Sequence, residues 1–189
     1  MNLAARQPVM STEEYLDGET HSMVRHEYLA GEVYAMAGAG ERHNRISLNI
    51  AFHLRAASRG KACGVFISDM KLRIEASDSF YYPDVLVSCD PTDTHPLFKS
   101  LPCLLVEVLS PSTEVIDRRE KLLAYRKLPT LQHYVLVSQE QRWVQWHQRD
   151  EGGHWFLSEF EGGGILDLTC PGLALSLSLD DIYEDVSLA

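Results

Sequence analysis

Two acidic residues lie where a buried strand ordinarily carries apolar side chains. Glu107 interrupts the apolar run 104–109, and Asp84 opens a second run that extends to residue 87. A buried carboxylate is unfavourable unless it pairs with a cation or binds a metal. Lys121 follows Glu107 in a stretch with helical character. An Asp, a Glu and a Lys that converge on one sheet would be the minimum equipment for metal-assisted cleavage of a phosphodiester.

The pair of carboxylates is a stronger signal than either residue alone. Hard divalent cations such as Mg²⁺ prefer one or two carboxylates, completed by waters and substrate phosphate. A cation held by Asp84 and Glu107 would polarise a phosphoryl oxygen and lower the pKa of a bound water. The ammonium group of Lys121 would stabilise charge on the transition state or help to deprotonate the attacking water. The pattern therefore predicts a Mg²⁺ or Mn²⁺ site.

Each of these residues also has an ordinary structural interpretation. Asp84 follows a proline, a pair that is common where a strand begins after a turn. Glu107 could pair with an Arg or Lys, or lie at a sheet edge with its carboxylate in solvent. Lys121 could be a surface cation that pairs with Asp117 one helical turn earlier. Tyr125 shares that helix face, and it could line the same pocket or simply pack in the core.

The spacing of apolar residues predicts the elements that must position these side chains. Helices are predicted at about 11–17, 41–59 and 117–128, with a final helical turn at 180–183. Strands are predicted at 26–36 (a hairpin), 65–74, 81–87, 104–109, 133–137, 142–149 and 155–160. Capping boxes are predicted at Ser11 with Glu14 and at Asp117 with Glu120. A strand, helix and strand in succession favour parallel pairing of the Glu107 strand with the next strand.

Composition limits the class of protein. A length of 189 residues predicts a single domain over 1–189, and the chain has no apolar run long enough for a membrane helix. The N-terminus has no apolar segment like that of a signal peptide, so a cytoplasmic protein is expected. Four cysteines stand far apart without a C-x-x-C pair, which argues against a structural zinc site and predicts reduced thiols. These are Cys63, Cys89, Cys103 and Cys170.

Charge bears on the class of partner. The formal net charge of −10 argues against broad, non-specific binding of nucleic acid, which depends on Lys and Arg meeting phosphates. One basic cluster stands out between residues 118 and 127, where five cations face a single acidic residue, Glu120. It is either a solvated helix face or a surface that contacts phosphate. Its cations are Arg118, Arg119, Lys121, Arg126 and Lys127.

Over nearly its whole length the chain resembles the Uma2 family, which is assigned to the PD-(D/E)XK restriction-endonuclease-like superfamily. The residues that carry the resemblance are 11–16, Glu27, 31–33, His43, 83–85, 106–113, Asp117, Lys121 and Tyr125. The resemblance implies an α/β fold with a three-layer core around a mixed central sheet, here with a β-rich C-terminal extension. It also implies metal-dependent nuclease chemistry.

Carried over by position, the resemblance implies roles for individual residues. Asp84 and Glu107 would be the metal ligands, and Lys121 the catalytic lysine. Glu27 and His43 are candidates for the pocket wall, with Tyr125 beside them. The chain departs from the superfamily pattern at Leu109, because a Lys is expected two residues beyond the acidic residue. A lysine must then arrive from elsewhere, and Lys71 on a neighbouring strand competes with Lys121 for that role.

The resulting hypothesis is a Mg²⁺- or Mn²⁺-dependent endonuclease that hydrolyses phosphodiester bonds in DNA. Because the cutting of both strands needs two sites, a homodimer is expected. The three tryptophans of the C-terminal third could supply its interface or a packed core. Two alternatives stay open, a catalytically inactive nuclease-fold binding or regulatory module and a hydrolase for other phosphate esters. The choice between DNA and RNA also stays open.

Overall fold

A computed structural model describes residues 9–110 and 114–188, without the side chain of Val115. The helices are α1 (Thr12–His21), α2 (Glu41–Ala57), a continuous helical segment α3 (Glu114–Ile116, Asp117–Lys121 and Leu122–Tyr125) and α4 (Leu179–Ile182). The strands are β1 (His26–Leu29), β2 (Glu32–Ala35), β3 (Gly64–Ile67), β4 (Lys71–Ile74), β5 (Ser79–Tyr81), β6 (Val85–Ser88), β7 (Phe98–Lys99), β8 (Pro102–Leu109), β9 (His133–Ser138), β10 (Trp143–Arg149), β11 (Trp155–Glu161), β12 (Ile165–Cys170) and β13 (Leu173–Ser178). Within the described ranges, no helix is long and apolar enough to cross a bilayer.

The strands form a mixed central sheet and two smaller sheets. The central sheet has six strands in the order β11-β10-β9-β8-β6-β3, and a second sheet has five in the order β2-β1-β5-β4-β7. Strands β12 and β13 pair with each other. Strand β8 pairs with β9 in parallel and with β6 antiparallel, so the predicted parallel pairing is confirmed.

Two apolar cores cover the faces of the central sheet and make three layers. On one face, α2, α4 and the β12–β13 pair contribute buried side chains such as Ile50, Leu166 and Leu179. On the other face, α3 and the five-stranded sheet contribute side chains such as Tyr125 and Leu72. The prediction of an α/β fold with a mixed, three-layer core is therefore confirmed. All eight residues of β8 are buried, as expected of a strand covered on both faces.

The alternation of side chains along β8 puts Glu107 on the face of the second core. Val106 and Val108 belong to the core with α2, whereas Leu105 and Leu109 belong to the core with α3. Because successive side chains of a strand point to opposite faces, Glu107 shares the face of Leu105 and Leu109. Its carboxylate therefore points toward α3, the segment that carries Lys121.

Two strands that were predicted as single runs are each divided between sheets. The predicted strand 65–74 is β3 in the central sheet and β4 in the second sheet. A turn with Asp69 at φ 85° separates them. The predicted strand 81–87 is likewise divided into β5 and β6, with Pro83 in the gap. Both predictions of one strand were wrong, because apolar runs continue across a change of sheet when both sheets face a common core.

The start of α3 also differs from its prediction. The capping box at Asp117 is wrong, since the preceding residue, Ile116, is already helical (φ −68°, ψ −48°) and provides no side-chain cap. Asp117–Lys121 forms a π-helical turn inside the segment. At α1 the predicted box is confirmed. There the Ser11 hydroxyl accepts the Glu14 N–H at 3.2 Å, and Glu14 Oε2 accepts the Ser11 N–H at 2.8 Å.

The cysteines and tryptophans have defined places in the fold. Disulfides join Cys63 to Cys89 and Cys103 to Cys170, so the prediction of reduced thiols was wrong. The pairs are separated by 26 and 67 positions in sequence, and strand pairing brings them together. Trp146 is buried in the core with α2, while Trp143 and Trp155 pack against the core with α3. The tryptophans thus contribute to packing within the chain.

A buried histidine should make stability depend on pH. His147 on β10 is buried, and within the described part of the chain neither ring nitrogen has a hydrogen-bond partner. Burial, reinforced by the charge of Arg126, lowers the pKa of His147 to about 4 from 6.5. Because the unfolded chain binds this proton at higher pH than the folded chain, the free energy of unfolding should fall as the pH drops from 6.5 toward 4. The loss should reach about 3 kcal/mol.

Urea unfolding near pH 7 and near pH 4.5 measures this effect. The wild type should lose free energy of unfolding between these two pH values, and His147→Phe should lack most of this loss. The control is His154→Phe, since the side chain of His154 is 78% exposed. An identical loss of stability in the wild type and His147→Phe would contradict the prediction.

Candidate active site

The register between two central strands brings the predicted acidic residues together. Val85 of β6 pairs with Val106 of β8 in antiparallel register. The next position along each strand puts Asp84 beside Glu107, at the same end of the sheet. A hydrogen bond from the Val108 N–H to Asp84 Oδ2 at 2.7 Å fixes this arrangement.

Glu107 is almost fully buried and has two defined partners. Its Oε1 accepts a hydrogen bond from the Tyr125 hydroxyl at 2.6 Å and one from Lys121 Nζ at 3.2 Å. Tyr125 is itself completely buried and contacts the rings of Tyr81 and Tyr134 edge-on. Tyr125 therefore orients the carboxylate from within the core and does not line an open cavity.

Lys121 lies at the centre of a cluster of carboxylates. Its Nζ is 3.2 Å from Glu107 Oε1, 3.1 Å from Glu27 Oε1 and 3.1 Å from Asp117 Oδ1. Glu27 comes from β1 of the second sheet, so the cluster joins both sheets through α3. Only 5% of the lysine side chain is exposed, which excludes the interpretation of Lys121 as a surface cation.

Asp84 and His43 form the other half of the site. His43 Nε2 of α2 lies 3.2 Å from Asp84 Oδ2, the same oxygen that accepts the Val108 N–H. Both side chains are more exposed than Lys121, at 14% for His43 and 12% for Asp84. Burial acts against a charged imidazole, but the hydrogen bond and the charge of Asp84 outweigh burial and raise the pKa of His43.

The π-helical turn explains how α3 presents two ionisable side chains to the sheet. Asp117 and Lys121 begin and end this turn, and both are buried. The Tyr134 hydroxyl on β9 donates to the Asp117 carbonyl oxygen at 3.0 Å and holds the turn against the sheet. Turns of this kind are rare and are often found at functional sites.

The cluster carries more negative than positive charge. Four carboxylates (Glu27, Asp84, Glu107 and Asp117) face one lysine and one histidine. Burial, together with the nearby charges of Asp117 and Asp84, raises the pKa of Glu107 despite the opposing effect of Lys121. Burial alone would lower the pKa of Lys121, but Glu107, Glu27 and Asp117 outweigh it and raise that pKa, so the amine is an ammonium at neutral pH.

The donor atoms of this cluster suit a hard divalent cation. Asp84 and Glu107 offer carboxylate oxygens from neighbouring strands, the ligand type that Mg²⁺ and Mn²⁺ prefer. Asp117 Oδ1 is buried and, within the described residues, has no hydrogen bond, although it lies 3.1 Å from the lysine. A cation would offset the excess of negative charge. Asp84 and Glu107 therefore fit the metal that the sequence predicts.

The side chains of the cluster differ in how far they are exposed within the described residues. Glu107, Asp117 and Lys121 are each at most 5% exposed in their side chains. Glu27, at 15%, joins Asp84 and His43 as the more exposed members. Two surface pockets of about 520 and 470 Å³ contain none of these side chains. Glu27, His43 and Asp84 are therefore the members of the cluster with the most solvent contact.

The structure brings together the six residues that the sequence singled out, whose catalytic roles stay predictions. These are Asp84, Glu107, Lys121, Glu27, His43 and Tyr125. Lys71, the competing lysine, lies elsewhere, with its Nζ 5.4 Å from the centre of the Tyr82 ring. Asp117 also belongs to the cluster, although the sequence predicted no role for it in the site and indicated it only as a helix cap, as a partner of Lys121 and among the residues that carry the family resemblance. The position of Asp117, one helical turn before Lys121, is the feature of the sequence that could have identified it as a member of the site.

The basic cluster of α3 is partly engaged within the chain. Arg118 pairs with Glu114 at 2.8 Å and its guanidinium lies 4.6 Å from the centre of the Trp143 ring. Arg126 lies 5.6 Å from the Trp155 ring, and Lys121 is buried among carboxylates. Arg119 is exposed. Of these cations, Arg119 is therefore better placed than Arg118 or Lys121 to meet an external phosphate.

Comparisons with known proteins show which family and which relatives this chain is similar to. The family model described as "Uma2: Putative restriction endonuclease" matches residues 12–180. Two proteins of Synechocystis sp. (strain ATCC 27184 / PCC 6803 / Kazusa), both named as uncharacterized, are similar to this chain. The first is 36% identical over 181 residues, covering 95% of this chain and 94% of the relative. The second is 33% identical over 165 residues, covering 86% and 93%.

A solved structure shares the fold. It is described as a "putative nuclease belonging to DUF820" from Anabaena variabilis ATCC 29413. The TM-score is 0.69 with 16% sequence identity, and the match covers 89% of this chain and 96% of that one. At this identity the likeness shows a common fold and says nothing about individual site residues.

Proposed function

Because this chain belongs to the Uma2 family of restriction-endonuclease-like proteins, as its sequence motifs predicted, we propose that it is a Mg²⁺- or Mn²⁺-dependent endodeoxyribonuclease. Its reaction would be the hydrolysis of phosphodiester bonds in DNA. The observation that carries the proposal is the convergence of Asp84, Glu107 and Lys121 at one end of the central sheet. Asp84 lies 23 positions before Glu107, and Lys121 lies 14 positions after it.

Within this proposal, the residues of the chain have distinct roles. Asp84 and Glu107 would hold the cation, which when bound supplies Lewis acidity at the phosphoryl oxygen and a more acidic water. Lys121 holds the Glu107 carboxylate and places a fixed positive charge where negative charge develops in the transition state. Its three carboxylate partners keep it protonated, so the role of an ammonium is favoured over that of a general base.

Asp84 and His43 are placed to meet the substrate. The Val108 N–H and His43 both bind Asp84 Oδ2 and fix the direction of its carboxylate. A protonated His43 at the exposed edge would attract a phosphate, and Arg119 on α3 adds a second cation to the surface. Because the net charge is −10, affinity for DNA must come from such local groups and from the bound cation. A homodimer of single-domain chains would supply the second site that double-strand cleavage needs.

One observation favours a second candidate, a non-catalytic module that retains the nuclease fold. Lys121 already has three carboxylates within 3.2 Å, as in a purely structural network of buried ion pairs. In that case divalent cations would have no effect on nucleic-acid binding, and Asp84→Ala or Glu107→Ala would not change it. A measured affinity for the cation that disappears in these variants favours the enzyme.

The direct test is a plasmid-nicking assay with the wild-type protein. Supercoiled DNA should be converted to nicked and linear forms with Mg²⁺ or Mn²⁺ and should stay intact with EDTA. Small phosphodiesters that are cleaved under conditions where DNA is not would instead identify a hydrolase for other phosphate esters. If DNA stays intact with Mg²⁺ and also with Mn²⁺, the result would contradict the proposed function.

Binding of the cation should also stabilise the fold, which gives a readout without DNA. At a Mn²⁺ concentration of about 100 times the dissociation constant, a ligand that binds only the folded state adds about 2.7 kcal/mol to the free energy of unfolding. The melting temperature should therefore rise with Mn²⁺ in the wild type and stay constant in Asp84→Asn. An equal rise in both proteins would show that Mn²⁺ binds elsewhere.

A further inference from the structure

The four cysteines converge on one place in the core, far from the candidate active site. Cys63 directly precedes β3, Cys89 directly follows β6, Cys103 lies near the start of β8 and Cys170 ends β12. Cys89 and Cys103 lie at one end of the paired strands β6 and β8, whereas Asp84 and Glu107 lie toward the other end. All four side chains are at most 9% exposed.

The sulfur atoms of the two disulfides are close enough to form one group. Cys89 Sγ lies 3.8 Å from Cys103 Sγ across the two disulfides. The Sγ atoms of Cys89, Cys103 and Cys170 lie within 4.8 Å of one another. Cys63 Sγ is bonded to Cys89 Sγ but lies outside this group of three, so it would have to move to become a fourth ligand once the disulfide is reduced.

The distance of 3.8 Å between Cys89 Sγ and Cys103 Sγ corresponds to one edge of a tetrahedral thiolate site. Zn²⁺ binds cysteine sulfur at about 2.3 Å, and a regular tetrahedron with such bonds has edges of about 3.8 Å. We propose that, when both disulfides are reduced, the four thiolates of Cys63, Cys89, Cys103 and Cys170 bind one thiophilic divalent cation such as Zn²⁺. The two disulfides are then the oxidised form of the same centre.

The scaffold already holds the four residues in place. Each cysteine comes from a different strand or strand end, and the pairing of β3 with β6 and of β6 with β8 sets the positions of three of them. Reduction would require the side chains to separate, while the strand pairing need not change. Soft thiolates favour Zn²⁺ and the oxygen donors of Asp84 and Glu107 favour Mg²⁺ or Mn²⁺, so the two sites would select different metals.

The conversion between the two forms is a four-electron change. Each disulfide takes two electrons and two protons from a dithiol reductant, which becomes a disulfide, and yields two cysteine thiols. Binding of the divalent cation then releases the protons of the thiols that become ligands. Disulfides or a bound cation would each join the same four strand segments, so the fold would be cross-linked in either state.

Cobalt spectroscopy tests the proposal on the full chain. The protein is reduced with a phosphine, which leaves no competing thiol, and is titrated with Co²⁺ and then with Zn²⁺. We expect one equivalent of Co²⁺ to produce the intense visible and near-ultraviolet absorption of a tetrahedral cobalt thiolate, and Zn²⁺ to remove it. A thiol reagent should count four reactive thiols without Zn²⁺ under denaturing conditions, and Zn²⁺ should protect them in the native protein.

Two variants separate this site from the candidate active site. Cys103→Ser should lose the cobalt absorption, whereas Asp84→Asn should retain it. The proposal is overturned if the reduced, folded wild type shows no thiolate absorption, or if Cys103→Ser shows the same absorption. If reduction unfolds the chain, Zn²⁺ should restore its circular dichroism, and a failure to do so also overturns the proposal.

Discussion

Replacing Asp84 with Asn should reduce metal-dependent DNA cleavage by at least about 10²–10³-fold while the fold remains intact. The amide oxygen of Asn can still accept the Val108 N–H, which Asp84 Oδ2 accepts at 2.7 Å in the native chain. The negative charge that a divalent cation needs is lost. The effect should therefore appear in the cleavage rate and in the affinity for Mn²⁺, with little change in the free energy of unfolding.

The plasmid-nicking assay measures this change, and the chain offers a matched control. Asp93 is another carboxylate that accepts backbone N–H groups, from Ser100 and Leu101, beyond the opposite end of β6. Asp93→Asn should cleave DNA at the wild-type rate when the protein is folded. Glu107→Gln should resemble Asp84→Asn. Cleavage within about 10-fold of the wild type in folded Asp84→Asn would contradict the assignment of this residue as a metal ligand.

Replacing Lys121 with Met should lower the free energy of unfolding by about 3–5 kcal/mol, a large effect for one side chain. Three carboxylates lie within 3.2 Å of the lysine Nζ, from Glu27, Glu107 and Asp117. Without the ammonium group, these buried charges would have no compensating partner. The loss would therefore reflect charges left unpaired and not only the contacts that the lysine makes.

Urea unfolding near neutral pH measures this loss, and a second buried lysine is the control. Lys99 is also buried, but its Nζ donates to the carbonyl oxygens of Asp93 and His95. Lys99→Met removes hydrogen bonds without leaving a cluster of carboxylates, so a smaller loss is expected. The double variant Lys121→Met with Glu107→Gln should be more stable than Lys121→Met alone. A loss below about 1 kcal/mol in Lys121→Met would contradict the view that the lysine neutralises the cluster.

Variants of Asp84 and of Lys121 differ in how directly they report on the chemistry of the site. Lys121 connects α3, the central sheet and the second sheet through its three partners. A loss of cleavage in a Lys121 variant would therefore combine a change in chemistry with a change in folding. Asp84 lies at the more exposed edge of the site, so its conservative variant isolates the chemistry better.

Several of the confirmed predictions depend on residues that are close together in sequence. The apolar run around Glu107 identified a buried strand, and the structure confirms it as β8. The capping box at Ser11 and the hairpin of β1 and β2 depend on contacts within a few residues, and both were predicted. Such features follow from local periodicity and hydrogen bonding, which a sequence displays directly.

Other parts of the site depended on which chain segments meet. The amino-acid sequence alone identified Asp84, Glu107 and Lys121 as residues able to support phosphodiester chemistry. The tertiary structure decided that Glu27 from the second sheet and Asp117 from a π-helical turn complete the cluster, and that four distant cysteines meet. Strand register and the choice of sheet are set by the packing of whole faces, so distances between residues remote in sequence emerge only when those faces are assembled.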